Sequence, residues 1–113
     1  MVETLDFPSD VVVPPGGSVK LVAIPDRPLY LLRLLAPDAL TRARLMVDEV
    51  RFGMWLLILE PVDLLILRDA SVFYDHPRWL DANEPVAVKI RSEEPVRSVP
   101  LIGLRFAVEE RGE

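Results

Sequence analysis

The chain has 113 residues, half of them apolar, 27% charged and eleven of them proline, with five glycines, no cysteine and a formal charge of −5. That length bounds one small domain. The missing cysteines exclude a disulfide scaffold, a zinc ribbon, an iron–sulfur centre and a cysteine nucleophile. The acidic balance argues against a general nucleic-acid binder, and eighteen leucines with fifteen valines exclude a disordered chain.

In chain order, residues 1–10 carry Glu3, Asp6 and Asp10 and lack the basic region and apolar run of a signal peptide. They read as an N-terminal arm, and nothing in them suggests secretion. Pro14-Pro15-Gly16-Gly17 precedes a strand-like segment rather than a helix, so it is a turn and not a phosphate-binding loop. Residues 18–24 (SVKLVAI) read as a strand. Residues 29–36 (LYLLRLLA) are nearly all apolar, as expected of a strand buried on both faces or covered by a partner. Arg33 in the middle of that run is expected at a subunit boundary or against a carboxylate.

Residues 44–52 (RLMVDEVRF) read as a strand whose apolar positions change parity at Asp48-Glu49, the mark of a β-bulge or bend. A short helix near 38–47, with Asp38 as its cap, competes with the first part of that reading. The apolar runs 54–59 and 64–67 are too short to span a membrane and are separated by Glu60-Pro61-Val62-Asp63. Residues 86–92 (VAVKIRS) alternate, with Val86, Val88 and Ile90 inward. Residues 92–99 form a polar connection. Residues 101–109 alternate again, with Ile102, Leu104, Phe106 and Val108 on one face. The last two strands read as a terminal antiparallel pair. The sum is an all-β chain, an antiparallel β-sandwich or barrel with seven or eight strands.

Catalytic chemistry finds little support. The single histidine, His76, cannot make a multi-histidine metal centre. Glu93-Glu94 and Glu109-Glu110 are adjacent, and neighbours on a strand point to opposite faces, which is poor geometry for an acid–base pair. Asp48-Glu49 has the residue types for a calcium site but reads more simply as a solvated kink. No serine has a nucleophile-elbow context. No catalytic residue, metal or cofactor is expected. The segment holding Tyr74, His76, Arg78 and Trp79 has the polar and aromatic mixture of a carbohydrate- or peptide-binding loop. Arg27, Arg33, Arg42, Arg44 and Arg51 crowd the first half, and ordinary ion pairing with Asp26, Asp38, Asp48 and Glu49 explains them.

The apolar surplus is more informative. A domain this small buries only about two-thirds of its unfolded surface, and the runs at 29–35 and 55–59 do not alternate. Such excess points to protein–protein contact and a homo-oligomer. Tyr30, Arg33, Trp55 and Leu57 are the expected interface residues, three of them of the types that anchor interfaces. Eleven arginines against two lysines, one asparagine and no glutamine fit a thermostable protein or a GC-rich genome.

The order of segments also carries a resemblance. Val13-Pro14-Pro15-Gly16-Gly17-Ser18-Val19 opens a strand, Arg27-Pro28-Leu29-Tyr30 leads into the next, and Val47-Asp48-Glu49-Val50-Arg51-Phe52-Gly53 follows. The chain closes with 86–92, a proline-bearing turn and 101–108. This pattern, from about Val11 to Glu110, resembles small phage and virus-like structural proteins with a single jelly-roll domain. The resemblance implies a capsid or decoration protein with no catalytic residues, binding itself and other shell proteins. Where that group often has polar residues after the central glycine, this chain continues into Met54-Trp55-Leu56-Leu57-Ile58-Leu59.

Overall fold

The computed structural model describes residues 3–8, 10–52, 55–56, 61–69 and 78–110. The described chain is mostly antiparallel β-structure with two short helices. The strands are β1 (Glu3–Asp6), β2 (Val12–Val13), β3 (Ser18–Ala23), β4 (Leu29–Leu35), β5 (Leu45–Phe52), β6 (Trp55–Leu56), β7 (Val62–Asp63), β8 (Arg78–Leu80), β9 (Val86–Ser92), β10 (Val99–Pro100) and β11 (Arg105–Glu110). Helix α1 (Asp38–Thr41) lies between β4 and β5, and α2 (Leu64–Asp69) follows β7. A four-stranded sheet has the order β1-β11-β4-β8, and a five-stranded sheet the order β3-β9-β5-β6 with β7 also on β5. β2 and β10 form a separate pair.

Successive long strands alternate between the two sheets. β3, β5 and β9 belong to one, and β4, β8 and β11 to the other. The inward residues of both sheets meet in one apolar cluster. Leu21, Val47, Val50, Val88 and Ile90 come from the five-stranded sheet, and Leu31, Leu34, Phe106 and Val108 from the four-stranded one. Phe7 tilts against Phe106 at 5.7 Å between ring centroids. Two of the crossovers are tied together where the Asn83 N–H donates to Pro25 O at 2.8 Å. Asn83 sits at φ 67°, a left-handed conformation that asparagine tolerates better than most residues.

The bulge expected at Asp48-Glu49 is present. Val47 pairs with Ile90 and Glu49 with Lys89, which leaves Asp48 as the extra residue. Leu45, Val47 and Val50 are therefore all buried despite their mixed parity. β4 repeats the device. Leu31 pairs with Val108 and Arg33 with Ala107, so Leu32 is extra. Leu29, Leu31 and Leu34 are buried, while Tyr30, Leu32 and Leu35 are half-buried and Arg33 is exposed. The strand is thus not buried on both faces.

Other expectations are corrected. The segment 64–67 is helical, because the Asp63 carboxylate caps α2 by accepting from the Leu65 N–H at 2.8 Å. Leu64 and Leu67, three apart, then reach the core while Leu65 and Ile66 stay exposed. α1 is a single turn with Pro37, not Asp38, at its cap position. The strand expected over 101–109 begins only at Arg105. Residues 101–104 contain a turn in which Gly103 has φ 87° and Ile102 is exposed. β9 and β11 are not partners. β9 pairs with β3 and β5, and β11 with β1 and β4. Within the arm of residues 1–10, Glu3–Asp6 form edge strand β1 on β11. Among the described residues, no helix is long and apolar enough to cross a membrane.

Phe106 is fully buried at the meeting of the two sheets, whereas Val96 is 85% exposed. Phe106→Ala is expected to cost about 3–5 kcal/mol, from lost transfer energy and the cavity left behind. Val96→Ala should stay within about 0.5 kcal/mol. Urea unfolding of the two variants against the parent chain checks both.

Candidate functional site

The outer faces of the two sheets differ in chemistry, and the difference follows from pairing. On the five-stranded sheet, Lys20 lies opposite Lys89, and Lys89 opposite Glu49. The Glu49 carboxylate accepts from the Arg51 guanidinium at 2.6 Å. Across the bulge, Arg91 Nε donates to Asp48 at 3.1 Å, and Arg91 Nη1 donates to Glu93 at 3.0 Å. The two arginines of this face are thus paired with carboxylates on the same face. Asp48 and Glu49, read above as a kink with calcium-type residues, are each held by an arginine.

The outer face of the four-stranded sheet combines aromatic, aliphatic and charged side chains, with Glu109 opposite Tyr30 and Arg105 opposite Leu35 on β11. Trp79 on β8 pairs with Tyr30 on β4. Their rings meet edge to face at 5.7 Å, an arrangement favoured by the ring quadrupoles. Trp79 nevertheless remains 64% exposed. Arg33 and Leu35 continue along the same face of β4, and Arg105 lies beside Leu35 on β11. Asp6 of β1 is opposite Arg105 on the far side. β8 is the edge strand here, so the aromatic pair sits beside an open edge.

Arg33, the charge inside LLRLL, is explained by the bulge. It shares parity with Leu29 and Leu31 and on a regular strand would point into the core. The extra residue, Leu32, turns it outward. Among the described residues it makes no ion pair. Of the other arginines in the first half, Arg27 pairs with Glu3 at 2.6 Å and with Asp26 at 3.3 Å, and Arg51 pairs with Glu49. Asp38 pairs instead with Arg68 at 3.1 Å. The hydrogen bond to Glu3, ahead of its charge, holds the Arg27 guanidinium still more firmly protonated.

The expected site residues are therefore redistributed. Tyr30 and Arg33 share a face, and Trp79, expected in a ligand loop, joins them. Trp55 lies on β6 at the edge of the other sheet. Arg78 is the first residue of β8. Leu57, Tyr74 and His76 lie outside the described residues. Sequence reasoning missed Leu35, Arg68 and Arg105. Arg105 alternates with Phe106 in the sequence, and that alternation was the available signal. Among the described residues, no group of three or more histidine, cysteine, aspartate or glutamate side chains is placed to hold a metal. Comparison with protein-family models, with curated proteins and with solved structures finds no match to the chain.

The Arg51 hydrogen bond is the main cause that holds the Glu49 carboxyl below its ordinary range, with the charges of Arg51, Lys20 and Lys89 adding to it and desolvation opposing. A depressed folded-state pKa contributes stability above the unfolded value, about 4.3 for glutamate, and loses it as the pH falls through the folded pKa. Glu49→Gln is expected to lower the urea midpoint near neutral pH. The gap to the parent chain should close below about pH 4. Midpoints measured across that range check the sign.

Proposed function

We propose that the chain is a non-enzymatic structural or assembly protein that self-associates through the outer face of its four-stranded sheet. The observation that carries this reading is Trp79, left 64% exposed against Tyr30 on β8, which among the described residues is the edge strand of its sheet. Large aromatic side chains flanked by arginine are the residue types that supply most of an interface's energy when desolvated. Leu32 and Leu35, half-buried in the single chain, extend the apolar area that a second copy would cover. A two-fold contact would place Trp79 of each copy against the same face of the other.

A jelly-roll winding and a virion role, as capsid or decoration protein, are the finer form of this proposal. The alternation of successive long strands between two sheets supports the winding, and the segment pattern described above supports the role. A gene neighbourhood containing portal, terminase or capsid genes is the expected context. A second reading, a carbohydrate-binding module, draws on the same exposed indole, since a flat exposed aromatic is also a platform for a sugar ring.

Sedimentation velocity over a range of concentrations separates these. Self-association is expected for the parent chain, with Trp79→Arg shifting it to monomer at concentrations where the parent is assembled. A parent chain that stays monomeric throughout would sink the assembly reading. A glycan array with His76→Ala and Trp79→Ala controls reads out the carbohydrate alternative, which requires a signal that Trp79→Ala abolishes.

A further inference from the structure

The end of the same sheet away from the aromatic pair holds a surface depression of about 430 Å³. Arg33 of β4, Arg105 at the start of β11 and Arg68 at the end of α2 line it, with Leu35, Pro37 and Gly103 among its walls. Arg33 and Arg105 are diagonal neighbours on one face, because Leu35 pairs with Arg105 and Ala107 with Arg33. Like charges so placed repel and cost stability unless something of opposite charge lies between them. Neither makes an ion pair among the described residues.

Arg68 is anchored. Its Nη1 donates to Asp38 at 3.1 Å and to Ala36 O at 3.4 Å, so its charge is answered within the fold. Asp6, opposite Arg105 on β1, shares a smaller neighbouring depression with Arg105 and Gly103 and does not line this one. Among the described residues, the lining of the larger depression thus holds three arginines and no carboxylate, in a chain whose net charge is −5. Gly103 at φ 87° forms part of its wall, and a side chain there would stand 3.1 Å from Pro37 Cγ. The wall is thus a tight backbone contact.

We propose that this depression is an anion site that takes a phosphate group, free or as the monoester of a small organic molecule. Guanidinium groups match phosphate oxygens bidentately, and two unanswered arginines suit a doubly charged anion better than a single carboxylate. The apolar wall formed by Leu35 and Pro37 gives an organic substituent a surface to cover. This site does not rest on self-association, which is read by a different measurement.

The test is an amide and guanidinium NMR titration at fixed ionic strength and at a concentration where the chain is monomeric. Inorganic phosphate, phenyl phosphate and acetate serve as separate probes. Saturable shifts at the Gly103 amide and the Arg33 and Arg105 Nε–H groups are expected with both phosphates and not with acetate. Tighter binding of phenyl phosphate identifies the monoester as the source, and equal binding identifies free phosphate. Arg33→Gln and Arg105→Gln are each expected to weaken binding about tenfold, the loss of one charge-assisted contact. Arg51→Gln removes the same charge from the opposite sheet and should leave binding unchanged. Linear, unsaturable shifts, acetate binding as tight as phosphate, or an equal loss in Arg51→Gln would overturn the site.

Discussion

The architecture depends on the pairing of two late strands, β9 and β11. β9 lies between β3 and β5, and β11 lies between β1 and β4. Each is an inner member of its sheet, and both of its neighbours come from the first half of the chain. Neither sheet can form its central ladder until the last third of the sequence is in place. Ladders that join distant segments pay loop-closure entropy before they are rewarded. The side chains that offset this cost lie on the same two strands. Val86, Val88 and Ile90 of β9 and Phe106 and Val108 of β11 are all buried, and they supply both faces of the shared core.

The two bulges are the second constraint, and they explain why one was legible in the sequence and the other was not. In β5 the apolar positions Leu45 and Val47 give way to Val50 across the polar pair Asp48-Glu49. The change of parity is therefore written in residue type. In β4 both parities are leucine, so the equivalent shift at Leu32 leaves no trace in hydropathy. Its one visible mark is Arg33, a charge at a position that regular alternation would bury. The expectation drawn from it was a subunit boundary or a carboxylate partner, not a bulge, and among the described residues it has no carboxylate partner.

Much of the β-class, the strand bounds of β3, β4, β5 and β9 and the inward set of β9 were legible, because each depends on local alternation. What was not legible depends on distant partners. Alternation in 86–92 and 105–110 fixes which side chains face inward and says nothing of which strand lies alongside, so their placement in separate sheets could not be read. The helix at Leu64–Asp69 was hidden because Leu and Ile serve a short buried strand or a helix equally well. Asp63 carried the deciding signal as a capping residue. For the candidate site, Tyr30 and Arg33 were found from residue type. Arg105 and Arg68 were missed because only the fold brings β11 and the end of α2 beside β4.

These constraints also divide the surface. The bulge in β5 presents Asp48 and Glu49 outward, where Arg91 and Arg51 answer them. The bulge in β4 presents Arg33 outward beside Ala107, with Arg105 and Glu109 two residues to either side on β11. The same backbone device therefore presents paired charges on one sheet and, on the other, an arginine that makes no ion pair among the described residues. Surface ion pairs of the first kind are each worth little to stability, about 0–1 kcal/mol, and their main effect is to leave that face well solvated. The face beyond Leu32 has an exposed indole at one end and, at the other, Arg33 and Arg105, which make no ion pair among the described residues. By turning Arg33 out of the core, the bulge sets it at the end of the strand where it lines the same depression as Arg105.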